Sequence, residues 1–130
     1  MIKFTIKDKV FSSDVTFYTK CTLQEAIEDF WLKDISNDYW DLVLWYTVSV
    51  IETNKQLIWV LNPKNFSDIS HEITHIVFNL CWFKWITVNW ENQEIFAYLV
   101  WFFTSEILSN LKKISKDKKE ENNINLVIQK

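Results

Sequence analysis

Ser67-Asp68-Ile69-Ser70-His71-Glu72-Ile73-Thr74-His75-Ile76-Val77-Phe78-Asn79-Leu80-Cys81-Trp82-Phe83 carries two periodic stripes at once. Ile69, Ile73, Ile76, Val77 and Leu80 recur at the three-to-four spacing of one helix face. His71, His75, Phe78 and Trp82 form a second stripe. The spacing predicts a helix over residues 68–83, with Ser67 as its N-cap. Apolar on most sides, this helix reads as the buried central element of a small domain. His71 and His75 are the only 2 histidines of the chain. At positions i and i+4 they share a face, so both imidazoles can reach one Zn²⁺. Glu72 is rotated about 100° from His71, which sets its carboxylate beside a zinc-bound water, as its proton acceptor, rather than on the metal. The plainer alternative is two ordinary histidines and an ordinary glutamate.

A catalytic zinc needs a third protein ligand. The next periodic stretch opens Glu91-Asn92-Gln93-Glu94-Ile95-Phe96-Ala97-Tyr98-Leu99. His-Glu-x-x-His followed after a short connection by Glu-x-x-Ala resembles the gluzincin branch of the zincin metallopeptidases. That resemblance implies His71, His75 and Glu94 as zinc ligands and Glu72 as general base. The implied reaction is hydrolysis of an amide, above all a peptide bond, in a peptide or protein substrate. Read without the resemblance, Glu94 is also a carboxylate favoured at a helix N-terminus by the helix dipole. Glu91 is the alternative ligand. Gluzincins commonly add a His, Tyr or Arg that stabilises the oxyanion. This chain has neither a third His nor any Arg, which leaves tyrosine. Tyr98 shares the face of Glu94 at i+4. It could be that catalytic donor, a partner orienting Glu94, or a core tyrosine.

Glu-x-x-Ala-Tyr-Leu further looks like short zincin-like proteins encoded by tailed phages and prophages. In those the connector carries Gly-Ile and the second helix Ala-Tyr-Leu-x-Gly. Here the same places read Trp85-Ile86 and Ala97-Tyr98-Leu99-Val100-Trp101. The resemblance covers residues 67–105 and is silent on the first 60. The alternative to a metallopeptidase is a non-catalytic regulatory or interaction protein of phage origin built on the zincin fold.

Outward from the motif, Ile2–Lys7 and residues 15–20 alternate apolar and polar as half-buried strands do, with Ser12-Ser13-Asp14 as the turn between them. Thr22-Leu23-Gln24-Glu25 is a capping box, and Leu23, Ala26, Ile27, Phe30 and Trp31 continue it at helical spacing. Residues 42–52 and 56–61 are β-branched and aromatic, joined at Thr53-Asn54-Lys55, and predict a second strand pair. Residues 56–61 are the expected edge strand along which a substrate would lie. A second long helix is expected from about residue 93 to 113, capped by Asn89 or Asn92. The expected fold is α+β: a small, mainly antiparallel sheet packed on the motif helix and the second long helix. Residues 1–114 form one zincin-like domain. Residues 115–130 hold a charge run that reads as a solvated or disordered tail, with a short strand at 124–128.

At net charge −3 and 24% charged residues, the composition is that of a soluble globular protein. It predicts neither nucleic-acid nor membrane partners. No opening segment resembles a signal peptide, and Cys21 and Cys81 lack zinc-knuckle spacing, so free thiols in a cytoplasm are expected. Two counts are abnormal: Gly 0 and Trp 8. Some bacterial lineages and their viruses read UGA as glycine, while others read it as tryptophan. A gene of the first kind, translated as the second, would show its glycines as Trp. The alternative is a genuinely Trp-rich core. The first reading expects Trp85 and Trp90 in exposed turns and Trp101 at the helix crossing.

Overall fold

The computed structural model describes residues 1–30, 45–50 and 53–128. The chain is α+β, with strands β1 (Ile2–Lys7), β2 (Asp14–Thr19), β3 (Trp45–Val50) and β4 (Lys55–Val60). Helices are α1 (Leu23–Phe30), α2 (Phe66–Phe83) and α3 (Gln93–Ile128). The strands form one sheet in the order β1-β2-β4-β3. β1 pairs antiparallel with β2, from Ile2 opposite Thr19 to Lys7 opposite Asp14. β3 pairs antiparallel with β4, from Trp45 opposite Val60 to Val50 opposite Lys55. The two hairpins are joined through a parallel β2–β4 pairing. The sheet is therefore mainly antiparallel, as the sequence predicts, with a parallel seam at its centre.

Local chemistry builds each element. Asp8 closes the first hairpin, its carboxylate accepting from the backbone N–H groups of Val10, Phe11 and Ser13. The capping box forms in full: the Thr22 N–H donates to Glu25 Oε1 at 3.0 Å, and the Glu25 N–H to Thr22 Oγ1 at 3.1 Å. Asn54 takes the left-handed turn of the second hairpin with φ 54°, a conformation asparagine tolerates. Alternation of side chains along β2 and β4 then divides the core. Val15, Phe17, Ile58 and Val60 face α2 and α3. Tyr18, Leu57 and Trp59 face α1. Asp29 of α1 accepts from Lys3 Nζ at 2.7 Å and Tyr18 Oη at 2.8 Å, which ties that helix to the sheet.

Several expectations need correction. Helix α2 starts at Phe66 behind Asn65 rather than behind Ser67, whose hydroxyl instead donates to Asn65 Oδ1. The helix is not buried all round. Ile69, Ile73, Ile76, Val77 and Leu80 are fully buried, while His71, His75, Phe78 and Trp82 face outward, because the sheet and α3 cover one side. Helix α3 does not stop near residue 113: it runs 36 residues to Ile128, so residues 124–128 are helical rather than a strand. Lys116, Lys118, Lys119, Glu120 and Glu121 of the charge run are good helix formers, which favours continuation of α3 past the last core residue it contributes, Ile107. Strand β4 is an interior strand. Among the described residues the edge strands are β1 and β3, because the parallel seam inserts β4 between β2 and β3. Trp31 and Trp40, and the expected strand residues 42–44 and 51–52, lie outside the described residues.

Candidate metal centre

Helix α2 carries the motif beside the edge strand. Side chains of β3 alternate, so Trp45, Thr47 and Ser49 point at α2 while Tyr46 and Val48 pack toward α1. Trp45 lies over the His71 ring, with centroids 5.6 Å apart. The Thr47 hydroxyl donates to Glu72 Oε2. Asn79 Nδ2 donates to Ser49 Oγ at 3.1 Å. These contacts lay β3 along the motif and leave an open cavity of about 260 Å³ lined by Trp45, Tyr46, Thr47, Glu72, His75 and Asn79.

The histidines meet as their spacing predicts. His71 Nε2 and His75 Nε2 are 3.0 Å apart, on exposed rings set edge to face. Two imidazole nitrogens on one tetrahedral zinc, each about 2.0–2.1 Å from it, stand about 3.3 Å apart. The pair is therefore close to the separation a shared ion requires, and two nitrogen donors suit zinc chemically. Glu72 is 2% exposed, and its Oε1 lies 3.9 Å from His71 Nε2. Burial pushes its carboxyl above the usual carboxylate range, partly offset by the Thr47 hydroxyl and then by His75 and His71. Thr47 is the site residue that sequence reasoning missed. Its only signal was alternation within a strand whose position relative to α2 the sequence does not carry.

Among the described residues, His71, Glu72 and His75 form the one group of at least 3 metal-ligating side chains whose donor atoms lie within 4.8 Å of one another. Glu94 stands apart from it, exposed in the first turn of α3. Glu91 is exposed in the connector, where its backbone N–H donates to Asn89 Oδ1 at 2.8 Å. Tyr98 is 43% exposed on α3. Its ring lies against Trp101 and Phe102 on the outer side of α3. Phe78 of α2 meets Phe96 of α3, with ring centroids 4.7 Å apart, one turn beyond His75.

The tryptophans separate into distinct environments. Trp85 and Trp90 are exposed residues of the connector turns, as the glycine reading expects. Trp101 is not wedged at the helix crossing. It faces solvent at 63% exposure, because Leu99 and Phe103 occupy the inner side of α3. No helix among the described residues is long and apolar enough to cross a membrane. The chain matches no protein-family model, no curated protein and no solved structure.

Proposed function

We propose that this protein is a zinc-dependent hydrolase, a small metallopeptidase of gluzincin type acting on a peptide or protein substrate in a bacterial or phage-infected cytoplasm. The observation that carries the reading is the meeting of His71 Nε2 and His75 Nε2 at 3.0 Å, with the buried Glu72 carboxylate beside them. His71 and His75 would hold the ion, and Glu94 is the candidate for the third protein ligand. Zinc, when bound, supplies the Lewis acidity that polarises a carbonyl and acidifies water. Glu72 takes a proton from the attacking water and returns it to the leaving nitrogen. A carboxylate whose affinity for protons is raised by burial suits both halves of that transfer. Thr47 holds the same carboxylate on its other oxygen and so positions it. An extended substrate would pair with β3, an edge strand among the described residues and directly beside the motif. That edge replaces residues 56–61 as the expected docking strand. A net charge of −3 and the absence of a membrane-length helix among the described residues favour neither nucleic acid nor lipid as partner.

The test is zinc analysis combined with cleavage of a peptide library, comparing parent, Glu72→Gln and His75→Ala. Zinc in parent and Glu72→Gln, with cleavage by the parent alone, supports the proposal. A parent that neither retains zinc nor cleaves overturns it. A second reading, a non-catalytic regulatory module on the same scaffold, is favoured by the position of Glu94 outside the histidine group. It expects stoichiometric zinc with no cleavage.

A further inference from the structure

The C-terminus of α2 is closed by two backbone hydrogen bonds. The Ile86 N–H donates to the Cys81 carbonyl at 2.9 Å and the Trp85 N–H to the Trp82 carbonyl at 3.1 Å. With Lys84 as the C-cap, these are the two bonds of a Schellman closure, in which the residue after the cap is left-handed. That residue is Trp85, at φ 59°. A Cβ collides with its own backbone there, so a bulky residue is an outlier and glycine is the common occupant. The indole recovers nothing in exchange, since Trp85 is 95% exposed. The apolar contact that accompanies such a closure falls to Cys81 and Ile86, which line one cavity.

Trp59 is the opposite case. It lies next to the last residue of β4 with 2% exposure, packed among Leu23, Ala26 and Ile27. Its Nε1–H donates to the Cys21 carbonyl at 3.0 Å. A buried indole with its one donor satisfied is a site built for tryptophan.

We infer that residue 85 is glycine in the native protein, encoded by UGA read as glycine, whereas residue 59 is a true tryptophan encoded by UGG. The inference rests on backbone geometry at one helix end and is independent of the metal centre. A surplus of tryptophan beside 0 glycine, with 8 Trp, fits a gene whose glycine codons are UGA and are translated as tryptophan. The consequence reaches the surface. Trp85 walls an apolar cavity of about 550 Å³ with Phe78, Trp82, Phe83 and Val88. With glycine at 85 that part of the wall is gone, and the exposed aromatic surface at this end of α2 is reduced by one indole.

Two measurements test this. In protein isolated from its source, fragment-ion sequencing of the tryptic peptide that begins at residue 85, which also holds residues 90 and 101, should read glycine at residue 85, and the peptide containing residue 59 should have full Trp mass. A UGG codon at position 85, tryptophan read there, or a light peptide at 59 overturns the inference. In the recombinant chain, Trp85→Gly should raise Tm by roughly 3–8 °C, and Trp59→Gly should lower it by roughly 10 °C or more. Trp85→Ala removes the indole but keeps the Cβ, so it should gain less than Trp85→Gly. Equal Tm for those two variants removes the backbone argument and overturns the inference.

Discussion

Helix α2 has two faces that do opposite work. On one, Ile69, Ile73, Ile76, Val77 and Leu80 are fully enclosed by the sheet and α3. On the other, His71 and His75 stand in the open with their Nε2 atoms converging. Glu72 sits at the seam, buried like the first face but bonded to Thr47 on the side of the second. The difference teaches where the constraints lie. The buried face holds the helix rigid through dense apolar packing. The exposed face can then carry imidazoles whose nitrogens are not spent on the fold. A carboxylate at the boundary inherits the low dielectric of one side and access to the other.

That contrast can be broken at four points. The largest effect is expected at the seam: Glu72→Gln should lower peptide hydrolysis by about 10²–10⁴-fold, with zinc content unchanged, as read from metal analysis beside kcat/KM. Equal loss of zinc and activity would make Glu72 a ligand instead of a base. On the buried face, Ile73→Ala should cost about 2–5 kcal/mol of stability in urea titration. His75→Ala on the exposed face of the metal-free protein should cost no more than about 0.5 kcal/mol. Comparable losses from the two would erase the distinction between the faces.

Between them, Thr47→Val should cost about 1–3 kcal/mol by leaving a buried carboxylate oxygen without its donor, and Thr47→Ser should restore most of it. Failure of the serine variant would mean that the methyl group, not the hydroxyl, matters at that position.

The smallest effects are in pH dependence, and their signs differ across the sheet. Asp29, on the α1 side, is held below the usual carboxylate range first by its hydrogen bond from Lys3 and then by that from Tyr18. Its contribution is therefore present above the ordinary Asp pKa and is lost as pH falls through the lowered one. The Lys3–Asp29 pair is more than a third exposed, so Asp29→Asn should cost under about 1 kcal/mol at neutral pH and nothing in strong acid. Glu72 has the opposite sign in the metal-free protein. Its raised pKa favours the fold in acid, and that contribution is lost as pH rises through the raised value. Urea titrations of parent, Asp29→Asn and Glu72→Gln from acid to neutral pH should separate the two. Parallel curves for both variants would contradict the assignment.

Much of this was written in local chemistry. The Thr22–Glu25 capping box, the Asn54 turn and the alternation of β2 and β4 depend on neighbours within a few residues, and they formed where the sequence placed them. The convergence of His71 and His75 is equally local, since helical pitch alone brings i and i+4 together. The interior position of β4 was not legible. Sheet order is set by which apolar faces can be covered at once, and the parallel β2–β4 seam joins segments far apart in the chain. Thr47 reached Glu72 for the same reason: a strand far from the motif in sequence was brought against it by the sheet. The exposed second stripe of α2 was misread because periodicity reports apolar residues without saying how many layers exist to bury them. Sequence by itself determined the helix, its histidine pair and the glycine-shaped end at Trp85, because backbone pitch and sterics act within a turn or two. Only the tertiary structure decided which face of that helix is closed, which strand lies beside the motif, and which hydroxyl holds the carboxylate. Those follow from the packing of whole elements against one another, which no local spacing encodes.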